Sequence, residues 1–282
     1  MKNIAKNNLL LLIAFIGVVI ISASCKNKEL IRDVDFPDQL IYMPAAIYNN
    51  FTIENVPKAI GYSPTPGYPE QFRVDTVARK FKVLLGAYRS GVDNVGEVPV
   101  SIAVNTDTIT KLLAIAGKLP AGTILLPSDK YSIPTSVVVA DGSDLAKFDL
   151  SIDLDYLRSN YSPTQKFAIA VGVSSSARKT NPTLATTIIV LNTRIMKPTA
   201  GFTHGVSPLN AKTINFTNTA VYGIKYVWDF GDGTPVKVTT NSKNETVSHT
   251  YAASGSYTIT QTVTGVTDLA DKSVFTAVRV IP

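Results

Sequence analysis

Alternation of apolar and polar residues, repeated along most of the chain and broken by short turn-rich segments, constrains this sequence more than any other feature. Phe148, Leu150, Ile152 and Leu154 alternate with Asp149, Ser151 and Asp153, and Tyr257, Ile259 and Val263 alternate with Thr258, Thr260, Thr262 and Thr264. A period of two sends one face of each segment to a core and the other to water, which half-buried antiparallel strands require. The same reading gives strands at Gln39–Met43, Lys80–Tyr88, Val98–Val104, Ser136–Ala140, Lys166–Gly172, Leu184–Leu191, Thr213–Thr217, Lys225–Asp229 and Ser273–Val280. Short strands at such close spacing indicate sandwiches. Helical pattern is confined to Asp107–Ala116, with Asp107 as N-cap, and to about one turn at Asp153–Asn160; both read as connectors. The fold class is therefore all-β, without the strand–helix rhythm of a catalytic α/β scaffold.

The first residues read as an export signal. Lys2 and Lys6 are basic, Leu9 to Ile21 are almost unbrokenly apolar, and small residues Ser22, Ala23 and Ser24 precede Cys25. That run is shorter than the roughly 20 residues a helix needs to cross a bilayer. Cys25 is the chain's single cysteine, so no intrachain disulfide forms, and a lone thiol at a cleavage point calls for a chemical role. Ile21-Ser22-Ala23-Ser24-Cys25 resembles a lipobox, in which diacylglycerol alkylates the thiol before cleavage. The resemblance implies residues 1–24 as a lipoprotein signal peptide, Cys25 as the lipid-attachment residue, and 25–32 as a tether. Ser22 stands where leucine is commoner. Lys26-Asn27-Lys28-Glu29 partly resembles the surface-export tag of gut Gram-negative lipoproteins, which implies an outer-membrane, cell-surface location.

Two of the 27 basic residues lie in the leader, leaving a net charge of +4 against 21 acidic residues. No run of like charges occurs, and the basic stripe with aromatics expected of a nucleic-acid binder is missing. The remaining length suits two domains of about 100–150 residues each. A boundary falls at Arg194-Ile195-Met196-Lys197-Pro198, giving domains at 33–195 and 198–282. Tyr62 to Pro69 holds three prolines, excludes a central strand, and reads as an exposed loop.

In the second domain, Tyr226-Val227-Trp228-Asp229-Phe230-Gly231-Asp232-Gly233-Thr234 is followed by His249-Thr250-Tyr251 and Gly255-Ser256-Tyr257. In that order these motifs resemble the polycystic-kidney-disease (PKD) domain, which implies an immunoglobulin-like sandwich. The expected architecture is thus two immunoglobulin-like antiparallel β-sandwiches in tandem. Trp228 would fill the core, and Gly231 and Gly233 would allow the turn that ends its strand. Asp229 and Asp232 fall short of the six to eight oxygens calcium takes, and Asx side chains at turns ordinarily bond their own backbone. His249 is expected to order a loop. With His204 it completes the histidines, and neither has a Gly-x-Ser-x-Gly elbow to serve or thiolates to share a zinc ion with. No metal and no cofactor are expected.

The first domain resembles the family catalogued as domain of unknown function 1735. Leu40-Ile41-Tyr42-Met43-Pro44-Ala45 carries the likeness, with Leu125-Leu126-Pro127-Ser128-Asp129-Lys130-Tyr131, Val137 to Gly142, Leu154-Asp155-Tyr156-Leu157 and Tyr161. These are strand and turn residues. The resemblance implies a context of polysaccharide use, beside carbohydrate-binding modules. The functional expectation is a non-catalytic surface lipoprotein that binds glycan, with Tyr62 and Tyr68 on the proline-stiffened loop as a stacking platform. An adhesin or spacer contacting proteins is the alternative, marked by an open edge strand or a flat apolar patch. Glycoside hydrolysis needs two carboxylates roughly 5–9.5 Å apart, and nothing in the pattern orders a pair such as Glu97 with Asp141.

Overall fold

The computed structural model describes residues 38–57, 65–240, 244–267 and 272–282. The leader, Cys25, the tether and Tyr62 lie outside them. The first domain carries β1 (Leu40–Tyr42), β2 (Phe51–Ile53), β3 (Arg73–Asp75), β4 (Lys80–Arg89), β5 (Val98–Val104), β6 (Thr123–Leu125), β7 (Tyr131–Ser132), β8 (Ser136–Val139), β9 (Leu145–Asp153), β10 (Lys166–Ser174), β11 (Lys179–Thr180) and β12 (Thr186–Asn192). One sheet has the order β11-β1-β4-β9-β7 with β3 also on β4, and the other has β2-β12-β10-β5-β8 with β6 on β10. Most pairings are antiparallel; β1–β11, β6–β10 and β2–β12 are short parallel additions.

Alternation decides which side of each strand is dry. Phe81, Val83, Leu85 and Ala87 of β4 and Phe148, Leu150 and Ile152 of β9 face Phe167, Ile169 and Val171 of β10 and Ile189 and Leu191 of β12 across the sandwich. β10 is apolar on both faces because its second face is covered too. Helix α1 (Thr106–Leu113) lays the fully buried Ile109 on Ala168, Ala170 and Val190, whose small or compact side chains let the helix approach. The helix therefore does more than connect. Its N-cap is Asn105, whose side chain accepts from the Thr108 amide at 3.1 Å, and Asp107 sits inside the first turn where it favours the helix dipole. Helix α2 (Leu154–Ser159) is capped by Asp153 and buries Leu154 and Leu157 in the core.

Arg89 ends β4 almost wholly buried. Its guanidinium donates to backbone carbonyls: Ser143 at 2.7 Å, Gly96 at 2.8 Å, Val95 and Ala140 at 3.3 Å, and Asn94. One side chain thus satisfies two loops that would otherwise leave their carbonyls unpaired. Asp141 completes the arrangement by accepting from the Gly96 amide at 2.6 Å.

The second domain adds β13 (Phe202–Ser207), β14 (Asn210–Asn218), β15 (Lys225–Asp229), β16 (Lys237–Thr239), β17 (Thr246–Thr250), β18 (Gly255–Thr264) and β19 (Lys272–Ile281). Sheets β13-β14-β17 and β16-β15-β18-β19 enclose Trp228, Phe202, Phe216, Phe230, Val247, Tyr251, Ile259 and Val263. Between the domains runs a one-turn 3-10 helix, Thr193–Met196, whose Ile195 and Met196 are buried in the first domain's core.

Candidate functional site

The most distinctive surface of the first domain is an aromatic ladder on the outer face of its β4 sheet. In β4 the odd positions point inward, so Tyr88 points out. Register places Tyr42 of β1 on one side of Tyr88 and Leu145 of β9 on the other, so three strands contribute one row. The Tyr42 and Tyr88 rings lie 5.7 Å apart between centroids with an angle of 34° between their planes, and both are half-buried. The next outward position on β4 is Gly86, and the loop after residue 64 settles there. A Cβ on Gly86 would stand 2.9 Å from the Pro66 side chain and 2.8 Å from Leu145 Cδ1, closer than any ordinary contact. Absence of a side chain at Gly86 therefore lets the loop touch the strand.

That contact corrects the expectation of a loop exposed throughout: Pro66 and Gly67 are buried, because Pro66 packs onto β4 at Gly86. The same packing holds Tyr68 up beside the ladder, 56% exposed. Burial raises the Tyr88 phenol above its ordinary value, and the nearby Asp144 charge and the Tyr42 and Tyr68 phenols add to the shift. The face thus combines rings fixed by packing, the phenol hydroxyls and a carboxylate, with the exposed Lys147 opposite Gly86 one row along.

The residues singled out in the second domain form a separate cluster around the turn after β15. Trp228 is fully buried. Asp229 accepts from the Gly231 amide at 2.9 Å, and Asp232 accepts from the Thr234 amide at 3.2 Å and hydroxyl at 2.6 Å, so both carboxylates serve their own turn. Gly231 and Gly233 have φ of 76° and 79°; a Cβ on Gly231 would meet the Thr258 carbonyl oxygen at 2.3 Å. His249 Nε2 lies 2.7 Å from Asp232 Oδ2, and its ring stacks on Phe230 with centroids 4.0 Å apart. The Tyr251 hydroxyl donates to the Phe230 carbonyl at 3.1 Å, and burial first, then Asp232 and Tyr257, push its phenol up to about 12. Tyr257 stacks on Tyr251 and donates to the Ala253 carbonyl at 3.0 Å, while Gly255 opens β18 opposite Ile281. The Asp229, Asp232, His249, Tyr251 and Tyr257 side chains thus all bond within the domain, whereas the buried Trp228 Nε1 has no hydrogen-bond partner among the described residues. Among the described residues no three His, Cys, Asp or Glu side chains are grouped to hold a metal ion, and no helix is long and apolar enough to cross a membrane.

Of the proposed platform pair, Tyr68 is on the ladder face and Tyr62 lies outside the described residues. Tyr42 and Tyr88, which the sequence reading passed over, are the residues the fold brings to Tyr68. A signal was present: Leu84 and Tyr88 occupy the β4 positions that alternation assigns to water.

The arrangement is that of an all-β protein built from two sandwiches, the first bearing an aromatic face and the second consolidated around a tryptophan core. Residues 197–280 match the PKD domain model, and the second sandwich is a PKD domain. A second family model, described as an N-terminal domain, matches residues 48–179. No curated protein matches the chain. Among solved structures, it is similar to the PKD1 domain of a Vibrio cholerae metalloprotease, at 26% identity over 30% of this chain and 96% of that one, with a TM-score of 0.25. It is similar to a multidomain protein including DUF1735 from Bacteroides ovatus, at 17% identity over 75% of this chain and 60% of that one, TM-score 0.33. A third similar structure is a candidate carbohydrate binding protein from Bacteroides ovatus, at 10% identity over 86% and 70% of the two chains, TM-score 0.36.

Proposed function

We propose that this chain is a non-catalytic, lipid-anchored surface protein that binds glycan in a polysaccharide-uptake system, through the Tyr42, Tyr88 and Tyr68 face of its first domain. The observation that carries the reading is the cross-strand ladder, in which aromatic rings stand on the solvent side of a sheet whose opposite side already supplies the core. Sugar rings present apolar C–H faces that lie on aromatic rings, and their hydroxyls need polar neighbours at the rim. Tyr42 and Tyr88 are half-buried and packed on each other, so stacking a sugar on them costs little ordering entropy. Asp144 and Lys147 supply the rim.

Cys25, at the end of an export signal, is the proposed point of attachment to the outer membrane. Two acyl chains suffice for stable anchoring. The test is binding of residues 26–282 to an array of host and plant polysaccharides, with residues 198–282 alongside. Binding by the longer chain and none by the PKD segment supports the reading. Silence across the array, or binding retained by the PKD segment alone, contradicts it.

A further inference from the structure

Among the described residues, strand β19 is the outer edge of its sheet. It pairs with β18 in unbroken register from Lys272 opposite Thr264 to Ile281 opposite Gly255; among the described residues no other strand pairs with it, and the Ala200 amide donates to the Ser273 side chain at 2.9 Å rather than to the strand's backbone. Long edges invite pairing with another chain unless proline, a bulge or charge blunts them. β19 contains no proline, its register shows no bulge, and its charges are Lys272 at the start and Arg279 near the end. Between them Val274 and Val278, with Val280 beyond, are 59%, 63% and 68% exposed. Val274 also ends an outward row that runs through Thr262 and Val227 to the half-exposed Val238 on the far edge.

We infer that β19 pairs antiparallel with β19 of a second copy of this chain, on a twofold axis at Thr276. The sequence of the strand argues for this occupant. Val274-Phe275-Thr276-Ala277-Val278 is symmetrical in kind about its centre. Under the twofold, Thr276 faces Thr276, each Val274 faces a Val278, and each Phe275 faces an Ala277, which pairs like surfaces and sets large against small. The charges agree with the same register. Lys272 falls opposite Val280 and Arg279 opposite Ser273, so no like charges meet; a parallel in-register pair would set Lys272 on Lys272 and Arg279 on Arg279. Antiparallel pairing also joins the two four-stranded sheets into one and continues the valine row into the second copy's Val278. β19 belongs to the PKD domain, whereas the proposed glycan face belongs to the first domain.

Residues 26–282 contain no cysteine, which makes a direct test available. Facing residues in an antiparallel pair have Cα atoms about 4.5–5.5 Å apart, within disulfide reach. Thr276→Cys in that chain is expected to give a disulfide-linked dimer under mild oxidation, while Val238→Cys, on the opposite edge of the sheet, gives none beyond background. In sedimentation runs from about 1 μM to about 1 mM, the unmodified chain is expected to dimerise with concentration and Val238→Lys to match it. Thr276→Lys, which sets two lysines face to face, is expected to stay monomeric with an unchanged circular dichroism spectrum. A chain that is monomeric throughout, or cross-linking equal at positions 276 and 238, overturns the inference.

Discussion

At the scale of single residues, the PKD turn shows how a motif that resembles a metal or catalytic site is consumed by structure. Asp232 is nearly buried; burial alone would raise its carboxyl, but hydrogen bonds from Thr234 and His249 outweigh that and hold it below its ordinary 3.8. A carboxyl depressed in the folded state stabilises the fold above its unfolded value, and that contribution is lost as pH falls through the folded value. Urea unfolding of residues 26–282 is therefore expected to show a decline in stability below about pH 4 that Asp232→Asn flattens. An identical acid limb in the variant would mean that Asp232 carries no such linkage. Trp228, Gly231, Asp232 and His249 were legible because the chain concentrates them within 22 consecutive residues. The ladder was not, because Tyr42 and Tyr88 are 46 positions apart and only strand register makes them neighbours. Asp107 opens the apolar pattern and so reads as the cap, yet Asn105 stands where its side chain reaches the Thr108 amide.

At the scale of elements, alternation located the core strands and missed what lies on their outer faces. β10 reads as continuously apolar, a pattern that buried strands and helices share, and the difference here is α1 covering Ala168 and Ala170. Three short parallel pairings are not legible in the sequence because β2 and β6 are three residues long and β11 two, below the length at which periodicity is visible. β4 is the element on which the site depends, since its outward positions include both Tyr88 and the glycine that receives the loop. Gly86→Ala would press a methyl group into Pro66 and Leu145. Leu145 can turn aside but the proline ring cannot, so the variant is expected to lose on the order of 1 kcal/mol in urea unfolding and to weaken any glycan binding by displacing Tyr68. Unchanged stability together with unchanged binding would show that the loop does not rely on this contact.

At the scale of the whole molecule, the two sandwiches share packing beyond their covalent link. Tyr222 and Val266 of the PKD domain pack against the first domain's core, Thr267 donates to the Met196 carbonyl at 3.3 Å, and Arg194 lies 5.6 Å from the Tyr222 ring centroid. Tyr222 adopts φ of 59°, a left-handed conformation that costs a bulky residue about 1–2 kcal/mol. The contact at its ring offsets that cost. Small-angle scattering is expected to give one narrow distribution of interdomain distances, broadened by Tyr222→Gly, which relieves the backbone and removes the ring. A distribution already broad in the parent chain would refute a docked pair. A rigid pair would carry the ladder at a fixed angle to the PKD domain. Glycan binding on the ladder is tested by calorimetric titration of residues 26–282 with an oligosaccharide from the array, beside Tyr42→Ala with Tyr88→Ala. Stacking on the ladder predicts at least about a tenfold loss of affinity, roughly 1.4 kcal/mol, with the fold intact by circular dichroism; affinity unchanged in the double variant would contradict it.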